Sequence, residues 1–197
     1  GGVYVLYGTL TMTGGIIEKN KAVNGGGVYV DIDTNSTNTG NFIMNGTAEI
    51  KENETTTTSG NGGGVYNKGT FSMGSVTGST PSIAGNISSG LGGGLYNEGI
   101  FTMGIPNVIT TPDFDPVITA NRASQGGGVY SRATLSPKKS YFHTGTVSGN
   151  QATGTDNTGA FLGSQLFSAS GNINNLNLNT GTDNRVNTAI ISGVIQP

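Results

Sequence analysis

The chain has 197 residues, of which 33% are hydrophobic and 10% charged, with 35 glycines, no cysteine, no tryptophan and a formal net charge of −2. An ordinary globular domain is about 25% charged, so a layered α/β core fits poorly, and Gly, Thr and Asn in such numbers resist helix through backbone entropy and competing side-chain hydrogen bonds. No cysteine means no disulfide scaffold or thiolate metal site; nine scattered Lys and Arg make no basic stripe for nucleic acid; no apolar run approaches the roughly 20 residues that span a bilayer.

A first turn opens on Gly1-Gly2-Val3-Tyr4, continues with an apolar pair two residues apart, Leu10 and Met12, and closes on Ile17 with Asn20 three places later. The second turn repeats these anchors as Gly25-Gly26-Gly27-Val28-Tyr29, Phe42 with Met44, and Ile50 with Asn53. The third has Gly62-Gly63-Gly64-Val65-Tyr66, Phe71 with Met73, and Ile83 with Asn86. The fourth has Gly92-Gly93-Gly94-Leu95-Tyr96, Phe101 with Met103, and Ile118 with Asn121. The fifth has Gly126-Gly127-Gly128-Val129-Tyr130, a degraded pair at Tyr141-Phe142-His143, and Val147 with Asn150. A faded sixth runs through Leu166, the pair Leu176 and Leu178, and Ile190. Gly1 stands mid-repeat with no initiator Met or tag, as expected of a processed chain, an excised fragment or a sequence limited to its ordered part.

The turns are 25, 37, 30 and 34 residues apart, counted from Val3 through Val28, Val65 and Leu95 to Val129. Fixed anchors joined by variable spacers are strands joined by loops, and apolar residues at i and i+2 have the period of a strand buried on one face. The expectation is an all-β chain, a right-handed parallel β-helix (solenoid) of about six turns and three short parallel sheets, with little or no α-helix. One β-helix domain covers 1–197, with clear repeats over 1–150 and a faded repeat and end over 151–197. Helical repeats would show apolar spacings of three and four, and a propeller blade would need hairpins and a Trp-Asp signature. Rungs about 4.8 Å apart make a rod of roughly 29 Å, with Val, Phe and Met ladders as its core. The glycines have two candidate tasks, a positive φ at the corner or a surface without side chains for close approach. The recurrent Asn20, Asn53, Asn86, Asn121 and Asn150 fit a turn ladder whose amides pair along the stack and whose residues tolerate the left-handed conformation.

With its Gly-Gly-Gly-Val-Tyr strands and the Phe-x-Met-Asn of Phe42 to Asn45, the chain resembles bacterial surface proteins built of Gly-Gly-Ala-Ile-like and Phe-x-x-Asn repeats, the polymorphic outer-membrane proteins and other autotransporter-like adhesins. The resemblance spans residues 1 to about 150. It implies a secreted right-handed β-helical passenger that carries adhesion, with no catalytic residues to transfer.

For chemistry, the densest carboxylates are Asp31 with Asp33, Asp113 with Asp115, and Glu49, Glu52 and Glu54, the starting points for glycosidase or lyase catalysis. Solvated loop charges explain them, so no catalytic, cofactor-binding or metal residue is assigned and the chain is expected not to be an enzyme. His143 is expected on the outward side of a strand, and Asn35, Asn45, Asn53 and Asn86 head Asn-x-Ser/Thr sequons. The residues singled out are Tyr4, Tyr29, Tyr66, Tyr96 and Tyr130, expected as an outward aromatic stripe suited to carbohydrate stacking, lateral packing, or a cross-turn stack that stabilises the sheet. The functional expectation is an extracellular or cell-surface structural or adhesive rod, without catalysis and without a transmembrane segment. The alternatives are a filament subunit stacking end to end on other copies of itself and a polysaccharide-binding or polysaccharide-degrading β-helix. Partners are further copies or a host or surface glycan or protein, not nucleic acid.

Overall fold

The computed structural model describes residues 1–33, 38–105, 116–132 and 140–154, and the backbone of three short strands at 166–168, 190–191 and 195–196. Among the described residues there is no helix, and the strands, β1 to β22 in chain order, stack in parallel as a β-solenoid. The first sheet joins β1 (Val3–Val5), β5 (Val28–Val30), β9 (Val65–Asn67), β12 (Leu95–Asn97), β16 (Val129–Ser131), β20 (Leu166–Ser168) and β22 (Ile195–Gln196). The second joins β2 (Gly8–Met12), β6 (Gly40–Met44), β10 (Thr70–Met73), β13 (Ile100–Met103) and β17 (Ser140–Phe142). The third joins β3 (Ile16–Glu18), β7 (Glu49–Lys51), β11 (Ser82–Ala84), β14 (Val117–Thr119), β18 (Thr146–Ser148) and β21 (Ile190–Ile191).

Register follows the anchors. Val3 faces Val28, Val28 faces Val65, Val65 faces Leu95 and Leu95 faces Val129. Phe42, Phe71 and Phe101 align with one another, as do Met44, Met73 and Met103 and the series Ile17, Ile50, Ile83, Ile118 and Val147. These side chains form one core between the three sheets, and from Val28 onward the anchors are at most 2% exposed. Burying each such side chain stabilises by about 1.5–3 kcal/mol, which is how three-residue strands hold together.

Four full turns separate Val3 from Val129, against about six expected of the whole chain, and beyond Val129 the first sheet continues through the short strands β20 and β22. The fifth turn also corrects the degraded pair: Ser140 aligns with Phe101 and Phe142 with Met103, and His143 falls just after β17. Phe142 nonetheless turns its ring edge-on to Phe101, 5.6 Å between centroids. In the faded turn Leu166 aligns with Val129 as expected, but Ile191 rather than Ile190 faces Val147. Leu176 and Leu178 lie outside the described residues.

A fourth, shorter strand series was not anticipated. β4 (Lys21–Ala22) pairs β8 (Glu54–Thr55), β15 (Arg122–Ala123) pairs β19 (Gln151–Ala152), and Ile87 bridges Glu54 to Arg122. It explains the glycine triplets, in which both candidate tasks are realised by different members. The first glycine, Gly25, Gly62, Gly92 or Gly126, has φ between 59° and 68° and turns the corner. The middle one lies against the fourth series: a Cβ on Gly63 would sit 2.5 Å from the Ile87 carbonyl oxygen and 2.6 Å from that of Gly93. The third faces the next turn, where a Cβ on Gly94 would sit 2.7 Å from the Gly128 oxygen and 2.9 Å from Asn121 Nδ2.

The asparagines form a column at the next corner. Asn53 Nδ2 donates to Asn86 Oδ1 at 3.0 Å, Asn86 Nδ2 to Asn121 Oδ1 at 2.9 Å and Asn121 Nδ2 to Asn150 Oδ1 at 2.9 Å. The same oxygens accept the backbone N–H of the preceding asparagine, as in Asn53 N to Asn86 Oδ1 at 3.0 Å. The amides also donate to carbonyl oxygens of the aliphatic anchors, including Ile17, Ile50, Ile83 and Ile118. The left-handed conformation belongs to the residue before each asparagine, not to the asparagine itself: Lys19, Glu52 and Ala120 have φ of 57°, 54° and 54°, and Gly85 and Gly149 both 65°.

Candidate functional site

On the first sheet the residue between two inward positions points away from the core, which places Tyr4, Tyr29, Tyr66, Tyr96 and Tyr130 in one register-matched column. Successive ring centroids are 5.5, 4.7, 4.8 and 5.4 Å apart. The expected open stripe exists only at its N-terminal end. Tyr4 is 60% exposed and Tyr29 half-buried, but Tyr66, Tyr96 and Tyr130 are 8%, 1% and 7% exposed in a cluster of their own. Tyr29 stacks on Tyr66 and Tyr96 on Tyr130, while the Tyr4–Tyr29 and Tyr66–Tyr96 contacts are tilted by 43° and 31°. Rings that cover one another leave mainly edges to a ligand, so the cross-turn column is what the geometry realises.

Beside the tyrosines runs a column that the sequence reading missed. Two residues after each tyrosine of turns two to five stand Asp31, Lys68, Glu98 and Arg132, alternating in sign. Their backbone N–H groups continue the sheet's hydrogen bonding, Asp31 to Val5, Lys68 to Val30, Glu98 to Asn67 and Arg132 to Asn97, at 2.7–2.8 Å. Lys68 Nζ lies 3.7 Å from Asp31 Oδ1 and Arg132 Nη1 3.5 Å from Glu98 Oε1. The fixed offset from Tyr is the signal for it in the sequence, where Asp31 otherwise groups with Asp33 as a loop charge.

The two columns are bonded to each other. The Tyr4 hydroxyl donates to Asp31 Oδ2 at 2.8 Å, Tyr66 to Glu98 Oε2 at 3.2 Å and Tyr96 to Glu98 Oε1 at 2.9 Å. Lys68 Nζ lies 5.5 Å from the Tyr29 ring centroid and 5.7 Å from that of Tyr66, within cation–π range. Burial, then Glu98, raises the Tyr66 phenol well above its usual value; burial first pushes Tyr96 up to about 12 and also raises Tyr130. The hydrogen bond to Asp31 raises Tyr4, and the Tyr29 hydroxyl with Asp31 holds the Lys68 ammonium above its ordinary range. At neutral pH these phenols and this amine keep their protons, so the columns hold charge in place rather than shuttle protons.

The remaining candidates separate. Glu49, Glu52 and Glu54 lie 2.9, 3.8 and 2.8 Å from Lys51, Lys19 and Lys21, in partly exposed ion pairs on the first two turns. Asp113 and Asp115 lie outside the described residues, as does Asn35. Burial lowers the His143 pKa, and its ring stacks on Tyr141 with centroids 6.2 Å apart. The sequon residues Asn45, Asn53 and Asn86 are 7%, 0% and 0% exposed, so the folded chain offers none of them to a glycosyltransferase. Among the described residues no group of three or more His, Asp or Glu is placed to hold a metal ion, and no helix is long and apolar enough to cross a membrane.

Compared with protein-family models, curated proteins and solved structures, the chain matches none.

Proposed function

We propose that this chain is a structural or adhesive rod, displayed outside the cell or at its surface, that does no catalysis. The observation that carries this reading is where the recurring residues go: aliphatic and Phe anchors, Asn amides and Tyr rings each pack on or bond to the turns above and below. What repeats along the chain therefore makes the rod itself, and the variation sits in the loops that interrupt it. The candidate acids at Asp31, Glu49, Glu52 and Glu54 each lie beside a lysine. Two measurements test the proposal together. Antibody against the chain should label intact, unpermeabilised source cells or their culture medium, and the purified chain should release no sugar from pectin, alginate or similar polymers. Labelling confined to the cell interior, or sugar release lost on Asp31→Asn, overturns it.

A further inference from the structure

We infer that the column Asp31, Lys68, Glu98 and Arg132 is a docking surface for a second copy of the chain lying antiparallel alongside the first. The argument is one of charge order. Along the rod the signs run minus, plus, minus, plus, one per rung of a parallel sheet, so four charges span about 14 Å. A twofold axis between Lys68 and Glu98 puts Asp31 opposite Arg132 of the second copy and Lys68 opposite its Glu98, and by symmetry the reverse, so every rung meets its opposite sign. A parallel copy in register meets only like charges. Shifted by one rung, a parallel copy keeps three of the four pairs but leaves an open end, whereas the antiparallel pair closes.

The side chains can still take part. Their exposures are 19% for Asp31, 32% for Lys68, 23% for Glu98 and 59% for Arg132, and the pairs within one copy, at 3.7 and 3.5 Å, are longer than tight ion-paired hydrogen bonds. The tyrosine hydroxyls hold the two carboxylates in position, and the ring contacts along the column hold the hydroxyls, so the column is ordered before it docks. Such a surface gives weak, salt-sensitive association, and it stands whether or not the rod is adhesive.

Sedimentation equilibrium of the whole chain tests it. Dimer is expected at about 20 mM salt and monomer at about 0.5 M. Lys68→Glu sets like charges face to face twice across the axis and should weaken the dimer by about tenfold. The double swap Lys68→Glu with Glu98→Lys orders the signs minus, minus, plus, plus. It sets like charges at both ion pairs within each copy, restores every pair of the antiparallel dimer and leaves the parallel copy shifted by one rung only one opposite pair of three, so it should recover association to within about twofold of the original. Circular dichroism confirms that each variant is folded; should Lys68 variants unfold, Arg132→Asp and its rescue by Asp31→Arg ask the same question at the ends of the column. A monomer at both salt concentrations, or a folded double swap that stays monomeric, overturns the proposal.

Discussion

The asparagine and tyrosine columns climb the same turns, and their polar atoms are treated in opposite ways. Asn53, Asn86 and Asn121 are fully buried, and their amides bond within the column and to the carbonyls beside it. The tyrosines lie outside the core, stack by their rings, and pass their hydroxyls to a row of charges that water still reaches. A third column shows what happens when such a network is cut short. Asn67 donates to Asn97 Oδ1 at 2.7 Å, but the position one turn earlier is Val30, and Asn67 Oδ1 is buried without a partner. A polar ladder inside this rod is only as good as its least satisfied rung; the outer ladder tolerates variation because solvent is at hand.

The largest break in that comparison is at Asn86. Asn86→Ala removes the acceptor of two donors on Asn53 and should cost about 3–5 kcal/mol by chemical denaturation. Asn86→Asp should cost more at neutral pH, since its carboxylate would face the carbonyl oxygens of Ile50 and Ala84 and the Oδ1 of Asn121. Its folded-state pKa would be raised, so the part of the stability that protonation restores should be present in full only below the unfolded carboxylate value of about 3.9 and lost as pH rises from there. An Asp variant that is more stable at neutral than at acid pH would contradict the bonding assigned to the column.

The tyrosine column should show itself at alkaline pH. The folded-state values of Tyr66 and Tyr96 are raised above the unfolded value of about 10, so their contribution is complete below that value. It falls as pH climbs from about 10 to about 12, and the midpoint of urea unfolding should drop across that window while the 295 nm phenolate signal appears late. Tyr96→Phe keeps the ring contacts and loses the hydroxyl's hydrogen bond to Glu98 and its interaction with Arg132 at the solvent edge, for an expected cost of about 1 kcal/mol, far below that of Asn86→Ala. Comparable costs for the two variants would erase the distinction between the columns.

The smallest effect is at the corner before each asparagine, where Ala120 is left-handed at φ 54° and Gly85 at 65°. Ala120→Gly should stabilise by about 1 kcal/mol and Gly85→Ala should destabilise by a similar amount. The added Cβ at Gly85 meets nothing nearer than 3.9 Å, so backbone conformation alone is being measured.

Much of this was legible before any coordinates. The anchor residues marked the three main sheets and their register because a period-2 pattern with one buried face excludes a one-residue slip and the ordered Phe and Met anchors exclude a slip of two, and the asparagine column was visible because its spacing to the aliphatic anchor never varies. The fourth series was hidden: Lys21, Glu54, Ile87 and Arg122 share a place in the fold but no chemical character. Burial of Tyr66, Tyr96 and Tyr130 was hidden too, because alternation tells which side of a sheet a residue takes and not whether that side is covered.

The sequence by itself determined the parallel stacking, the inward ladders and the positions of the corners, all of which follow from local period and from spacing between repeats. Only the tertiary structure decided which glycine turns and which yields space, which residue takes the left-handed corner, and that Asp31, Lys68, Glu98 and Arg132 form one alternating row. Those residues keep fixed offsets from the anchors, but what each does is a relation between turns some 30 residues apart, set by backbones approaching within hydrogen-bonding distance, which an offset along one turn does not express.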